Sequence, residues 1–378
     1  MIPIIKEKIL LKPEDIKPSS DKFEVLGVLN PAAARLPNGK ILLYVRVIER
    51  LKKAESEKYF YSPRFAGKKS FEIVIDKFPK SSVESHTDVD FNFMDGTKRL
   101  TYISHFRRVF LDKTGFKILG IDQKPSFYGI SSDSELGVED PRITKIGDLY
   151  YMAYVGLTRG GNISTSLAVS KDCFNWERKE IIFGEQDKDA VLFPEKIKDR
   201  FVIFDRPEGN FEFSSPHIWI AYSKDSEYWG KLNPIKLSKN LRFNRNGAGP
   251  PPIRTDLGWL LIFHAVTTKE KKGLAYNIKK LFGFNVHKGI GYSREDVYSV
   301  WAALLDINNP EKLIAISSRP IMIPDEKHHK SFEGKEIIFP TGIAEDKENI
   351  LLYSGLGDTY VGVSKMKIWD VLNFLKRV

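Results

Sequence analysis

Asp140-Pro-Arg-Ile-Thr-Lys-Ile-Gly-Asp-Leu-Tyr-Tyr-Met-Ala-Tyr154 leads a short apolar run through a Gly-Asp turn into a second apolar run ending on an aromatic residue. That is the pattern of two strands of about four or five residues joined by a tight turn. The same device recurs along the chain. It opens at Asn30-Pro31, Asp140-Pro141, Phe193-Pro194, Pro251-Pro252 and Phe339-Pro340, and ends on Tyr44, Tyr154, Phe204, Phe263 and Tyr353. The spacings from proline to aromatic are 13, 13, 10, 11 and 13 residues. A second element follows each hairpin. It reads Ala168-x-Ser170-x-Asp172-x3-Trp176 and Ala221-x-Ser223-x-Asp225-x3-Trp229, with looser versions at Ala302-x-Leu304-x-Asp306, at Val363-Ser364 to Trp369 and around Tyr102 to Phe110. Five units of about four strands predict an all-β chain, a five-bladed β-propeller closed radially around a channel.

The hairpin says where chemistry belongs. Its first strand starts at the proline and its second ends just past the aromatic, so both points lie at one end, and five such ends converge on one mouth. Beside the prolines stand Asn30, Glu139, Asp140, Arg142 and Glu195; just past the aromatics stand Arg46, Arg206, His264 and Asp358. Large charged groups at inner strand ends are costly to bury without a ligand or one another. Ion pairs plugging the channel are the structural alternative.

Composition agrees with a large β protein. At 378 residues, with 42% hydrophobic residues and 25 Phe, the chain has material for a substantial core, and the repeats predict a single domain over 1–378. Helical periodicity is confined to Met366–Val378, read as a short amphipathic C-terminal helix. The first residues, MIPIIKEKILL, carry lysines inside their apolar run, and no stretch reaches the roughly 18 apolar residues of a membrane span, so neither a signal peptide nor a membrane partner is expected. The single Cys173 fits a reducing compartment, and a cytoplasmic location is predicted. The net charge of +10 is spread through two polar insertions, near 49–99 and 267–295, and the C-terminal helix. It shows no Arg-rich run or nucleic-acid module, so no nucleic-acid partner is expected. Aromatic groups in the insertions (Tyr59 to Tyr61, Phe65, Tyr276, Phe282 and Phe284) would serve as a pocket wall or pack on a sheet edge. His86-x-Asp88-x-Asp90 would place three metal-type ligands on one strand face, a short motif with high false-positive risk; His328-His329 reads as exposed and inert. The Asp172 and Asp225 boxes read as structural turns.

Around Asp140 the chain resembles glycoside hydrolase family 130, the inverting β-mannoside phosphorylases and related β-mannosidases. The resemblance rests on Gly137-Val-Glu139-Asp140-Pro141-Arg142-Ile143-Thr144, Lys188-Asp-Ala-Val-Leu-Phe193-Pro194-Glu195-Lys196-Ile197, Asp205-Arg206-Pro207, Gly247 to Ile253, Gly258-Trp259-Leu260, His264-Ala-Val266, Ala303 to Asp306, Phe339-Pro340-Thr-Gly342 and Asp358-Thr359. It implies a five-bladed propeller. It further implies Asp140 as general acid, acting through a hydroxyl of the bound mannose, and Lys188, Arg206 and His264 as the phosphate-binding positions. A phosphorylase brings a charged nucleophile and needs a cationic cradle, where a hydrolase needs a second carboxylate to activate water; guanidinium suits phosphate oxygens.

The expected reaction is phosphorolysis of a β-1,4- or β-1,2-linked mannoside to α-mannose 1-phosphate. Asn30, Arg46, Glu139, Arg142, Glu195 and Asp358 are the expected substrate contacts, and inorganic phosphate is a co-substrate with no further cofactor and no metal. The partners are then a β-mannoside oligosaccharide and phosphate; homo-oligomerisation is left open. Hydrolysis of the same bond with Glu195 activating water, and a non-catalytic sugar-binding propeller, are the alternatives. The chain departs from the family pattern at Phe263-His264-Ala265-Val266 and at Tyr298-Ser299-Val300-Trp301, walls where the leaving sugar would sit.

Overall fold

Residues 41–48 (ILLYVRVI) are apolar at nearly every position, too continuous for a strand with one wet face. The computed structural model describes residues 1–158, 163–208, 215–237, 241, 243–272, 292–325 and 336–378, and it explains that run. Successive side chains of a strand point to opposite faces. Ile41, Leu43 and Val45 pack with Leu351, Tyr353 and Val361, whereas Leu42 and Tyr44 pack with Val138, Met152 and Tyr154. Both faces are buried, each against a different unit.

Each unit is four antiparallel strands. The first is Phe23–Arg35, Ile41–Leu51, Tyr102–Leu111 and Ile118–Ile121. The second is Gly137–Ile146, Leu149–Leu157, Ile163–Ser170 and Glu177–Phe183. The third is Asp187–Leu192, Phe201–Pro207, Trp219–Ser223 and Gly230–Pro234. The fourth opens with two short pieces, Arg245–Ala248 and Ile253–Thr255, both paired to Gly258–Lys272, and continues with Tyr292–Leu305 and Leu313–Ser317. The fifth is Glu336–Asp346, Asn349–Leu356 and Tyr360–Lys367, and takes its fourth strand, Lys6–Leu11, from the start of the chain. Short parallel contacts run the first unit into the second and the fourth into the fifth, making sheets of 8 and 10 strands. Among the described residues no sheet closes on itself.

Apolar layers lie between consecutive units and between the fifth and the first. Full burial of a Leu, Ile or Phe in such a layer is worth about 1.5–3 kcal/mol. Because the core sits between units, the inner strand ends are left to polar groups. The outer turns are built as expected: Asp172 accepts from the backbone N–H of Phe174 and Asn175, both at 2.8 Å, and Asp225 repeats this with Glu227 and Tyr228. The Trp176 indole donates to the Tyr44 hydroxyl of the first unit, and Trp229 lies against Phe183 of the second.

Three expectations need correction. The third repeat opens at Asp187 rather than at Phe193-Pro194, which lie near the turn at the far end of that hairpin. The C-terminal helix is only Ile368–Asn373; Leu375–Arg377 returns to β pairing with Leu313–Ser317, whose open edge offers backbone partners. His86, Asp88 and Asp90 do not share a strand face, because a turn separates Val83–His86 from Asp90–Phe93, and Asp90 is paired with Lys98. The first insertion forms two small sheets around Phe60, stacked on Phe91, and Phe78, edge-on to Phe91 and Phe93, and is tied to the segment leading into the second unit through Phe65 and Tyr128. In the second, the strands Gly258–Lys272 and Tyr292–Leu305 stay paired out to Lys272 and Tyr292. Tyr276, Phe282, Phe284, His328 and His329 lie outside the described residues.

Candidate active site

In the first three hairpins the opening strand carries a two-residue bulge whose first residue is Asn or Asp in the left-handed region: Asn30 (φ 44°), Asp140 (φ 49°) and Asp189 (φ 56°). Asn and Asp tolerate that backbone better than other side chains, and a bulge re-aims the side chain it carries. Two of these residues meet directly: the Asn30 amide donates to Asp140 Oδ1 at 2.8 Å. They line a cavity of about 200 Å³, whose remaining wall comes from the third, fourth and fifth units.

The charged groups are interleaved. Arg46 Nη1 donates to Asp140 Oδ1 at 3.0 Å, and its Nη2 to Glu139. Arg142 donates from Nη1 to the Asp140 carbonyl at 2.9 Å and from Nη2 to Asp189 Oδ1 at 2.8 Å. Arg206 lies with Nη1 2.8 Å from Asp189 Oδ2 and donates from Nη2 to Glu208. His264 Nε2 stands 3.3 Å from Arg206 Nη1 and 3.5 Å from Asp189 Oδ2, and its ring packs on Phe339 at 4.3 Å between centroids. Lys188, Arg245, Tyr298, Phe339 and Asp358 complete the lining used below. A larger, mostly apolar groove of about 650 Å³ runs beside Ile2 and Ile321 and holds no comparable cluster.

Burial and charge set the protonation states. Burial would raise Asp140, but the Arg46 and Arg142 guanidiniums and the Asn30 amide outweigh it and hold the carboxyl below its ordinary range. Asp189 is likewise buried, and Arg206, His264, Arg142 and Lys188 hold it well below that range. Burial pushes His264 down to about 3 against the pull of Asp189, so the imidazole is neutral at neutral pH. Behind the wall, burial and the Asp205 carboxylate push Asp187 up to about 9, which makes the two acids a pair holding a proton between them.

Of the residues expected from sequence, Asn30, Arg46, Glu139, Asp140, Lys188, Arg206 and Asp358 line one cavity. Arg142 and His264 stand directly behind it, on Asp189. His264, expected as a basic group, is instead an uncharged one, because its complete burial strips the imidazolium of solvent. Glu195 is not brought to the site: it pairs with Arg254 toward the turn end of its hairpin. Sequence reading missed Asp189, Glu208 and Arg245, whereas Tyr298, expected in the wall for the leaving sugar, does line the cavity. Asp189 was findable, since Lys188-Asp189-Ala190 occupies the place of Glu139-Asp140-Pro141, but it lacks the proline used to align the repeats.

A family profile described as beta-1,4-mannooligosaccharide phosphorylase, of glycoside hydrolase family 130, matches residues 121–377. The chain is 28% identical over 388 residues to a beta-1,2-mannobiose phosphorylase of Listeria innocua, covering 98% of this chain and 97% of that one. It is 32% identical over 265 residues to a 1,2-beta-oligomannan phosphorylase of a Thermoanaerobacter species, covering 69% and 78%. The solved structure of the Listeria innocua beta-1,2-mannobiose phosphorylase with beta-1,2-mannobiose superposes with a TM-score of 0.79 at 27% identity, over 97% of this chain and 96% of that one. An acid-bearing cavity ringed by guanidiniums, on a chain matched over this length, identifies the protein as an enzyme of glycoside hydrolase family 130, the family of mannoside phosphorylases and their glycosidase relatives.

Proposed function

We propose that the enzyme is an inverting phosphorylase that transfers the mannosyl unit of a β-1,2-linked mannoside to inorganic phosphate, giving α-mannose 1-phosphate. The observation that carries the reading is one cavity holding both halves of the chemistry. Asp140, gripped by Asn30 and Arg46, lines it together with Lys188 and Arg206. A phosphate oxygen attacks the anomeric carbon from the face opposite the leaving oxygen, the C–O bond breaks, and the proton of Asp140 reaches the leaving oxygen through a mannose hydroxyl. Tyr298 and Phe339, their rings tilted 54° to one another, supply aromatic wall for a sugar ring. The β-1,2 preference is supported by the activities of the Listeria and Thermoanaerobacter relatives; β-1,4 is the competing linkage, supported by the description of the family profile. The five units are proposed as blades of one closed propeller domain spanning 1–378, supported by the apolar layer joining the fifth unit to the first.

Hydrolysis is the weaker reading because the carboxylate expected to activate water, Glu195, is engaged with Arg254 outside the cavity, and Glu208 is held by Arg206. The test is release of product from β-1,2- and β-1,4-mannobiose with and without inorganic phosphate, following mannose 1-phosphate and free mannose by NMR. Mannose 1-phosphate formed only with phosphate is the expected result. Free mannose at the same rate in both conditions would overturn the proposal.

A further inference from the structure

We propose that Asp189 is the positioning residue of the site: its carboxylate holds the Arg142 and Arg206 guanidiniums, and so sets where the phosphate cradle stands relative to the acid Asp140. The inference rests on the functional reading above and adds a residue to it.

Four observations support it. Asp189 sits in the third hairpin at the same left-handed bulge that carries Asn30 and Asp140 in the first two, so the fold aims it inward. It is 1% exposed, yet its two oxygens serve different partners: Oδ1 takes Arg142 at 2.8 Å, and Oδ2 faces Arg206 at 2.8 Å and His264 at 3.5 Å. Arg142 also donates to the Asp140 carbonyl at 2.9 Å, so one carboxylate ties the backbone of the acid's bulge to the guanidinium of the cradle. Room for it is kept by Gly247 of the fourth unit: a Cβ there would fall 2.1 Å from Asp189 Oδ2 and 2.5 Å from His264 Cε1. Two buried guanidiniums without a bridging anion would repel and seek water. Held by Asp189, they keep one geometry before any ligand arrives, which is what a preorganised anion site requires.

The test compares wild type with Asp189→Asn, which keeps the shape and removes the charge, and with Gly247→Ala, which keeps the charge and displaces it. Binding of inorganic phosphate is measured by titration calorimetry, and KM for phosphate and for β-1,2-mannobiose by initial rates. The expected result is a phosphate Kd and KM raised about tenfold or more in Asp189→Asn, the scale of one charge-assisted contact. The mannobiose KM should stay within about threefold, and Gly247→Ala should show the same split at smaller size. Phosphate binding unchanged or tighter in Asp189→Asn overturns the proposal, as does an equal rise in both KM values or loss of folding in both variants. Wild type that binds phosphate without turning over mannobiose would refute the functional reading while the binding comparison still judges Asp189. Failure of wild type to bind phosphate overturns both.

Discussion

Replacing Asp140 by Asn separates the acid's chemistry from its structural part. The backbone accepts the change: Asn30 occupies the equivalent left-handed bulge of the first hairpin, at φ 44° against 49° for Asp140. Arg46 loses a carboxylate at 3.0 Å but keeps Glu139, so no guanidinium is left unpaired. The stability loss should therefore stay below the roughly 3–5 kcal/mol of breaking an isolated buried pair, at about 1–2 kcal/mol. The rate loss should be much larger. A positioned general acid contributes about 10²–10⁴-fold, or ~3–5.5 kcal/mol at 1.36 kcal/mol per decade. That whole factor should appear in kcat/KM for β-1,2-mannobiose, whose leaving alkoxide needs a proton. A dinitrophenyl β-mannoside leaves as a stable anion, so the same variant should lose less than about tenfold on it. The assay is initial phosphorolysis rate on both substrates, with circular dichroism to verify folding. An equal loss on both substrates would make Asp140 a binding or structural residue, and an unchanged rate on mannobiose would remove it from the mechanism.

Glu195→Gln alters a half-exposed ion pair with Arg254 away from the cavity, so kcat/KM should stay within about twofold and stability within about 0.5 kcal/mol; a loss of phosphorolysis would return Glu195 to the site. The free enzyme holds Asp140 below the ordinary carboxylate range, burial being outweighed by the Arg46 and Arg142 charges, and a bound phosphate dianion offsets those charges. An acid acts while protonated, so the alkaline limb of the rate profile should lie at higher pH at saturating phosphate than at low phosphate; a limb that stays put or moves down would contradict this. Asp187, raised from 3.8 to about 9 by burial and the Asp205 carboxylate, keeps its proton in the folded state across that interval and loses it when unfolded. This group's contribution to stability should therefore fall as pH rises from about 4 to 9; below about 6.5 it is opposed by His264, whose depressed value works the other way, so the fall should show in melting curves between about pH 7 and 9, and Asp187→Asn should flatten it. A wild-type melting temperature that rises between about pH 7 and 9 would refute the assignment.

The parts of the fold legible from sequence were those written in local chemistry. Proline following Asn30 and Asp140 marks two bulges, because it stands where the ladder is interrupted and its missing N–H is not needed. The Ser-x-Asp turns at 170–172 and 223–225 are legible because the side chain bonds its own next residues. Asp189-Ala190 makes the same bulge without a proline, so alignment on prolines slid to Pro194 and nominated Glu195, at the wrong end of the hairpin. The pairing of Lys6–Leu11 with Tyr360–Lys367 joins residues 350 or more positions apart, and no local pattern encodes it. The charge state of His264 was hidden for a related reason: it depends on groups from three hairpins that meet only once the chain is folded.

The basic excess of the chain does not carry into the site. The cavity lining holds four cations (Arg46, Lys188, Arg206 and Arg245) against five carboxylates (Glu139, Asp140, Asp189, Glu208 and Asp358), and His264 adds no charge. Arg142 behind the wall makes the count five against five. Such a site is stable empty, because its buried charges satisfy one another, and its affinity for a dianion comes from the placement of its donors rather than from net charge. Phosphate entering it must take partners from carboxylates already present, Glu208, shared by Arg206 and Arg245, forming the most exposed of those pairs. Protonating a carboxylate lowers the opposing charge, and Asp140 is the one whose protonated form the reaction needs. On the proposed function the two requirements coincide: the dianion that serves as nucleophile is also the charge that restores a proton to the acid. A water nucleophile brings no such charge, and would leave Asp140 ionised between Arg46 and Arg142. The same arrangement that makes phosphorolysis self-arming therefore works against hydrolysis, without any residue being placed to exclude water.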